Sequence, residues 1–254
     1  MKRQRVLITG AAGRIGSLLA QHWRGRYELV LTDKLTPATA APGSYIECNL
    51  SDQDSVRPIL DNIDTVIHLA ADPRPNAGWQ SLLPNNIVAT HNVLEAAADA
   101  GCHRVILASS INAVAGYPAD VQVTTAMPVA PANLYGATKA FGEAMGRYYA
   151  DQRNLSVLCL RLGAVVAPND ARIAPGHPLL DSMLTTADLL KLYDACLASE
   201  HVRFGIFHGI SENRFKRLDI SDTRSVLRFE PCDDAFVLTG MVGPDRPDHL
   251  YENH

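Results

Sequence analysis

The sequence of 254 residues has few cysteines, and their spacing matches neither a disulfide-rich fold nor a metal site. The five are Cys48, Cys102, Cys159, Cys196 and Cys232. They form no CxxC pair and do not stand at the distances from histidine that are typical of zinc ligands. We therefore expect neither a disulfide framework nor a bound metal, and mostly buried, reduced thiols.

Positive charge is also scarce. The chain has 23 lysines and arginines against 27 acidic residues, a formal net charge of −4. It therefore lacks the basic field that a nucleic-acid backbone would require, and we expect no nucleic-acid partner. The apolar run at residues 6–8 is far too short for a signal peptide or a membrane span. We expect a cytoplasmic protein that does not enter membranes.

The sequence does contain enough apolar residues, 47%, for a substantial core in one compact unit. Short runs rich in branched residues predict parallel strands at Arg5–Thr9, Glu28–Thr32, Tyr45–Cys48, Thr65–Leu69, Arg104–Ser109 and Ser156–Leu162. Helices are predicted near 14–24, 52–62, 79–100 and 133–153. Because strand and helix alternate, we expect an α/β fold with a doubly wound parallel sheet.

The pattern becomes irregular after Leu162, where several prolines and glycines follow. We expect residues 1–165 to form the core and residues 166–254 to form a small C-terminal substrate lobe of the same compact unit. In that lobe we predict a helix near 186–199 and a short strand at Gly205–His208. The small-residue stretch Thr36–Gly43 is predicted to be a surface loop.

A glycine-rich turn directly follows the first strand. Gly10, Gly13 and Gly16 have the spacing GxxGxxG at the start of a predicted helix, where backbone N–H groups can receive a pyrophosphate. Asp33 ends the second strand about twenty residues further on, where a carboxylate can accept the ribose hydroxyls of a dinucleotide. This carboxylate favours NAD over NADP, although the adjacent Lys34 keeps NADP open. A purely structural role for Asp33, capping a loop, is the alternative.

Tyr135 and Lys139 stand four residues apart on a predicted helix and therefore share one face. A neighbouring ammonium favours the phenolate, so Tyr135 is a candidate general base. Ser110 follows the fifth strand at the edge of the sheet where open α/β sheets bind ligands, and it could orient a reacting hydroxyl.

These motifs together resemble the extended short-chain dehydrogenase/reductase family, also called the NAD-dependent epimerase/dehydratase family. The resemblance covers at least residues 5–165 and includes the segments His68–Ala71 and Asn86–Thr90. It implies a Rossmann-type fold, an NAD cofactor and a catalytic group of Ser110, Tyr135 and Lys139. It also implies that His68 is a packed strand-end residue and not a catalyst.

The resemblance implies a set of cofactor-binding residues. These are Gly10, Gly13, Arg14, Ile15, Gly16, Asp33, Asn49, Leu50, Leu69, Ala70, Ala71, Asn86, Tyr135, Lys139 and Leu162. An aspartate is more usual in the family where Asn49 stands.

Two departures from the nucleotide-sugar enzymes of the family bear on the reaction. A short segment follows Tyr135, which predicts a small substrate, and Ser110 is not followed by the acidic pair of sugar 4,6-dehydratases. The chain resembles instead the uronate dehydrogenases and the short-chain-type NAD-dependent glucose-6-phosphate dehydrogenases. Segments Asp72–Pro75 and Gly209–Asn213 carry this likeness.

Arg172 resembles the arginine with which uronate enzymes grip the substrate carboxylate. A guanidinium suits carboxylate, phosphate or sulfonate, so we expect an anionic sugar of unspecified anionic group. Further candidates around the sugar, beside Ser110 and Tyr135, are Arg74, Asn112 and His177. Arg74 could equally be an exposed loop cation, and His177 a residue without a role in binding.

The expected reaction is NAD-dependent oxidation of the anomeric carbon of this sugar to a lactone, with Tyr135 as base and Ser110 orienting the oxygen. Two alternatives stay open: a nucleotide-sugar epimerase or reductase, and an NAD-binding redox sensor without turnover. The helices at 79–100 and 133–153 carry more apolar and small residues than one sheet face needs. We therefore expect a homodimer or a higher homo-oligomer.

Overall fold

The computed structural model describes residues 3–35 and 44–241, which contain a seven-stranded parallel sheet. The strands are β1 (Arg5–Thr9), β2 (Glu28–Asp33), β3 (Ser44–Glu47), β4 (Thr65–His68), β5 (Arg104–Ser110), β6 (Ser156–Leu162), β7 (Ala164–Val166), β8 (Met183–Thr185) and β9 (Phe204–Gly209). The main sheet has the order β3-β2-β1-β4-β5-β6-β9, and β7 pairs with β8 separately. The predicted Rossmann-type α/β fold is confirmed.

Helices cover both faces of the main sheet. They are α1 (Arg14–His22), α2 (Gln53–Val56), α3 (Trp79–Leu82), α4 (Ala89–Asp99), α5 (Leu134–Gln152), α6 (Thr186–Ala198), α7 (Ser221–Leu227) and α8 (Ala235–Leu238). Short 3₁₀ turns lie at Arg57–Leu60, Ile111–Ala113 and Leu180–Ser182, and a π-helical segment at Leu83–Val88 joins α3 to α4. None of the helices in the described ranges is long and apolar enough to cross a bilayer.

Neighbouring apolar residues in most strands of the main sheet enter two separate apolar clusters. In β1, Ile8 packs in the cluster that contains Leu19 of α1 and Leu192 of α6. Its neighbour Leu7 packs in the other cluster, with Val93 of α4. A strand covered on both faces needs apolar residues at every position, which is why these strands are continuous apolar runs.

Each predicted strand is present with its ends within one residue of the prediction. The predicted helix 79–100 differs, because Pro84 has no N–H for the helical ladder and the chain forms a π-helical segment there. The predicted helix 52–62 is a short α-helix followed by a 3₁₀ turn. The predicted surface loop Thr36–Gly43 lies outside the described residues.

The strand predicted for the C-terminal lobe belongs to the main sheet. It is β9, and it pairs in parallel with β6. The part of the chain after residue 165 therefore supplies the last strand and helix α6 to the sheet as well as the lobe. The lobe has a small apolar cluster of its own that contains Val166, Leu180 and Phe236. The division at residue 165 itself stays a prediction.

Candidate active site

A cavity of about 640 Å³ opens at the carboxyl ends of the strands. It lies where the chain order reverses, since β1 is followed on one side by β2 and on the other by β4. Crevices at such a reversal are the usual ligand sites of open α/β sheets. The predicted site residues that line it are Gly10, Gly13, Arg14, Ile15, Gly16, Asp33, Leu50, Leu69, Ala70, Ala71, Ser110, Asn112, Tyr135, Lys139, Leu162 and Arg172.

The glycine turn brings the backbone close to its neighbours at two positions. Gly10 has φ +69°, and a Cβ there would lie 2.8 Å from the backbone nitrogen of Ala70. A Cβ on Gly16 would lie 2.3 Å from the carbonyl oxygen of Gly10. Helix α1 begins immediately after Gly13, which has no side chain to cap its first N–H groups. These N–H groups at the cavity can therefore receive an anion.

The carboxylate of Asp33 ties the glycine turn to the end of β2. Its Oδ2 accepts a hydrogen bond from the backbone N–H of Ala12 at 3.0 Å, and its Oδ1 accepts one from that of Lys34 at 2.7 Å. Each oxygen has a further lone pair for a hydroxyl donor. Asp33 therefore fixes the loop and also faces the cavity, so the structural and the binding role coexist.

Lys34 reaches across the cavity rim to the π-helical segment. Its Nζ donates to Oδ1 of Asn85 at 2.6 Å, and both residues line the cavity. No sequence pattern singles out Asn85, although it stands next to Asn86 in the family motif. The glycine turn, the uncapped helix start and the carboxylate at the end of β2 fit the pyrophosphate and ribose of NAD.

The catalytic candidates come together on α5 and the end of β5. Tyr135 is buried, and its side chain hydrogen-bonds Ser110. The Nζ of Lys139 lies 5.5 Å from the centre of the Tyr135 ring and donates to the carbonyl oxygen of Ala108 at 2.8 Å. The carbonyl of Ala108 was not anticipated, since a backbone acceptor leaves no signal in the sequence.

Burial governs the protonation of this group. It raises the pKa of Tyr135, opposed by the hydrogen bond from Ser110 and assisted by the charge of Asp72. It lowers the pKa of Lys139 to about 8. The expected lowering of the Tyr135 pKa by Lys139 is not seen in this structure, where desolvation of the phenolate is the largest effect and raises the pKa.

Asn112 connects Ser110 to the start of α5. Its side-chain nitrogen donates to Ser110 Oγ at 3.2 Å, and its Oδ1 accepts from Asn133 Nδ2 at 2.8 Å. Asn133 caps α5 by accepting from the backbone N–H of Gly136. A Cβ on Gly136 would lie 2.1 Å from the carbonyl oxygen of Asn112, so only glycine permits this approach. These contacts hold the start of α5 against the loop that follows β5.

Arg172 lies at the cavity wall, but its fork of donors is already engaged. Its Nε and Nη2 donate to the two carboxylate oxygens of Asp170 at 2.9 and 2.7 Å, and Nη2 also donates to the carbonyl of Val165 at 2.7 Å. The guanidinium beside Asp170 holds the pKa of that carboxyl well below its usual range. Within the described part of the chain, Nη1 is the nitrogen left for a ligand, and a contact between Arg172 and the sugar stays a prediction.

Four predicted site residues do not line the cavity. Asn86 is buried, and its amide binds the backbone of Asp72 and the hydroxyl of Thr138, so it joins the loop after β4 to α5. Arg74 is exposed and pairs with Asp72. Asn49 and His177 lie outside the wall too, and the roles of all four in binding stay predictions. His68 is buried between two threonine hydroxyls, and burial lowers its pKa to about 3, as suits a packed residue.

Comparison with known proteins agrees with this geometry. Residues 6–195 match the model of the NAD dependent epimerase/dehydratase family. The chain is 32% identical to an NAD-dependent glucose-6-phosphate dehydrogenase of Haloferax volcanii, over 93% of this chain and 96% of that one. It is 33% identical to an L-arabinose 1-dehydrogenase (NAD(P)(+)) of the same organism, over 66% of this chain and 70% of that one.

A solved structure shares the whole architecture. It is a mutant uronate dehydrogenase from Agrobacterium tumefaciens complexed with NAD, with a TM-score of 0.84 and 26% identity. The similarity covers 99% of this chain and 98% of that chain. The similarity therefore extends over the part of the chain after residue 165 as well as over the part before it.

Proposed function

The chain belongs to the NAD-dependent epimerase/dehydratase family, and on that premise we propose that it oxidises the anomeric carbon, C1, of an anionic aldose to a lactone with NAD. The observation that carries the proposal is the meeting of Ser110, Tyr135 and Lys139 in the same cavity as the glycine turn and Asp33. The relatives that are named as sugar dehydrogenases support the same reaction class.

When bound, NAD accepts the hydride that leaves C1 of the sugar. Ser110 donates a hydrogen bond to the C1 oxygen and holds it beside Tyr135. The Tyr135 phenolate takes the proton of the C1 hydroxyl as the C–H bond breaks, which leaves a C1 carbonyl and thus the lactone. Because burial raises the pKa of Tyr135, its phenolate depends on the hydrogen bond from Ser110 and on the positive charge of Lys139, 5.5 Å from the ring centre.

The proposed substrate carries an anion remote from C1. Arg172 supports this class, because Nη1 remains for a phosphate, carboxylate or sulfonate oxygen after Asp170 and Val165 have taken the other donors. The side chain of Arg172 is 35% exposed and that of Asp170 17%, so the ion pair is partly withdrawn from water. A contact in such a site is screened less than one on the open surface.

We also propose that the protein acts in the cytoplasm as a homodimer or a higher homo-oligomer. The cysteines of the described ranges are free thiols, four of them buried, which suits a reducing compartment.

Exposed apolar side chains on α3 and α5, among them Trp79, Leu134 and Tyr148, support self-association. Size-exclusion chromatography with light scattering measures the stoichiometry directly.

A substrate panel tests the proposed reaction. Purified protein is mixed with NAD and one of five sugar classes: uronates, hexose 6-phosphates, 6-sulfo-sugars, neutral aldoses and nucleotide sugars. We expect NADH to accumulate in proportion to the sugar consumed and a lactone to form with at least one anionic class. Interconversion of nucleotide sugars without net NADH would instead assign an epimerase. NAD binding without any turnover would assign a sensor.

A further inference from the structure

The catalytic face of α5 extends one turn beyond the predicted pair. Glu143 follows Tyr135 and Lys139 at the next interval of four residues, so the three side chains lie in one row. All three contact the end of β5: Tyr135 through Ser110, Lys139 through the carbonyl of Ala108, and Glu143 through the residue between those two. Three neighbouring residues of the strand are thus tied to three successive turns of the helix, although not in the same order.

Glu143 joins α5 to two strands at once. Its Oε1 accepts a hydrogen bond from Ser109 Oγ on β5 at 2.6 Å. Both carboxylate oxygens accept from Arg161 on β6, each at 2.8 Å. The side chains of Glu143 and Arg161 are only 3% and 2% exposed. The carboxylate therefore has a fully enclosed set of partners.

The helix lies unusually close to these strands. A Cβ on Gly146 would stand 2.9 Å from a methyl group of Val157, and one on Gly142 would stand 3.1 Å from a methyl group of Leu107. This spacing lets the carboxylate of Glu143 reach both strands directly. A small slide of α5 along β5 would break all three of its hydrogen bonds together.

Stability alone is a weak reason for such a pair. Withdrawing two charges from water costs about as much as their attraction returns, and replacing buried ion pairs by apolar residues is often neutral or stabilising. What the pair supplies here is a defined position, because its hydrogen bonds are directional. The ion pair thus fixes the position of the turn of α5 that follows Tyr135 and Lys139.

We propose that Glu143, acting through Ser109 and Arg161, is a positioning residue that sets the register of α5 on β5 and thereby the geometry of the catalytic group. The kinetic part of this inference rests on the proposed function. Glu143 itself does not line the cavity, since it is enclosed between α5 and the strands β5 and β6. Its loss should therefore act on kcat and not on binding.

Two multiple variants separate position from stability. In Ser109→Ala/Glu143→Leu/Arg161→Met the three polar side chains that bind one another become apolar together. Buried His208, whose Nε2 lies 3.5 Å from Arg161 Nη1, loses this contact equally in both multiple variants, so it does not affect their comparison. Glu143→Gln/Arg161→Met retains an amide oxygen that can accept from Ser109. The matched control is Arg104→Met. Arg104 is a buried arginine at the opposite end of β5 that binds Ser156 Oγ and carbonyls near the end of α6.

We expect the triple variant to lose about tenfold to a hundredfold in kcat, since small misplacements of catalytic groups have effects of this size. The KM for the sugar and the Kd for NAD should change less than about threefold. The glutamine-containing double variant should recover most of kcat. Arg104→Met should lower Tm with little change in kcat. Wild-type kcat in the folded triple variant, or equal losses in the triple and the double variant, would overturn the proposal.

Hydrogen exchange gives a second reading that needs no turnover. Amide exchange in residues 134–143 should be faster in the triple variant than in wild type and near the wild-type rate in the glutamine-containing variant. Unchanged exchange in the triple variant would also overturn the inference. If wild type oxidises no sugar of the panel, the proposed function fails, while the exchange measurement still decides the role of Glu143.

Discussion

Arg172→Ala gives the sharpest test of the substrate class, and its expected magnitude follows from the donors that the structure leaves to this side chain. Arginine has five N–H donors. Asp170 and the Val165 carbonyl take the one on Nε and the two on Nη2. The two donors on Nη1 remain, so a sugar anion meets one nitrogen and not the bidentate fork.

A hydrogen bond to a charged group is worth about 1.5–3 kcal/mol. Since about 1.4 kcal/mol corresponds to a factor of ten, loss of the Nη1 contact should lower kcat/KM for an anionic substrate by about tenfold to a hundredfold. The neighbouring carboxylate of Asp170 offsets part of the positive charge, which favours the lower part of this range. A neutral aldose never makes the contact and should lose less than about threefold.

The assay measures initial rates of NADH formation for a matched pair of sugars, a hexose and its C6 carboxylate or phosphate, with wild type and variant. Arg147→Ala is the matched control, because it removes an arginine that pairs with Asp151 on the exposed side of α5. We expect the control to alter neither substrate by more than about twofold, since exposed pairs contribute about 0–1 kcal/mol.

The anionic-sugar proposal fails if Arg172→Ala lowers both substrates equally, since that result reports a disturbed lobe. It fails also if wild type oxidises the neutral sugar as efficiently as its acidic counterpart. A neutral-sugar enzyme would then be the better assignment, as the name of the L-arabinose 1-dehydrogenase relative illustrates. The dehydrogenase assignment would survive both results.

Three further predictions address the base, the cofactor and the core. Tyr135→Phe should lower kcat by about a hundredfold or more with the Kd for NAD, measured by calorimetry, nearly unchanged; near-normal turnover would remove Tyr135 from the mechanism. Asp33→Ala should weaken the binding of NAD and raise kcat/KM with NADP relative to that with NAD. A wild type that already prefers NADP would refute the role of Asp33 in selecting NAD. Burial lowers the pKa of His68 to about 3 and that of His208 to about 4. The unfolded chain therefore binds more protons below about pH 6.5, and urea denaturation should show stability falling by up to about 1.4 kcal/mol per pH unit per histidine from pH 6.5 towards 4. His68→Asn should flatten this slope, whereas the same slope in His68→Asn as in the exposed-site control His201→Asn would contradict the explanation.

The main sheet could be predicted because buried parallel strands leave a direct signal. The run Ser156–Leu162 is buried at all seven positions, so its composition alone identifies it. The strands β7 and β8 have three residues each, too few for any period to emerge. The strand β9 could be located but not assigned to the main sheet, because pairing between distant segments leaves no local pattern.

The candidate site divides in the same way. Glycine spacing and the Tyr135–Lys139 interval are local patterns, and the side chains they predicted lie together at the cavity. The ion pair between Arg172 and Asp170 depends on the conformation of one irregular loop. In such a loop, a spacing of two residues does not predict which side chains meet. Asn86 does not line the cavity, and its amide is hydrogen-bonded to Asp72 and Thr138, a pairing of distant segments that leaves no local pattern.

Glu143 could be predicted only in part. Its place on the catalytic face of α5 follows from a local spacing, whereas its contacts with the two strands do not. The interval of four residues after Lys139 predicts a shared face. A glutamate on an exposed face would need no partner, whereas one enclosed by two strands requires a cation and a donor. Arg161 and Ser109 are those partners, and both lie in buried strands that are mostly apolar. A polar residue in such a strand indicates that a partner packs against it, but its position does not identify the helix that supplies the partner, since Arg104 on the same strand as Ser109 binds carbonyls near the end of α6 and not α5.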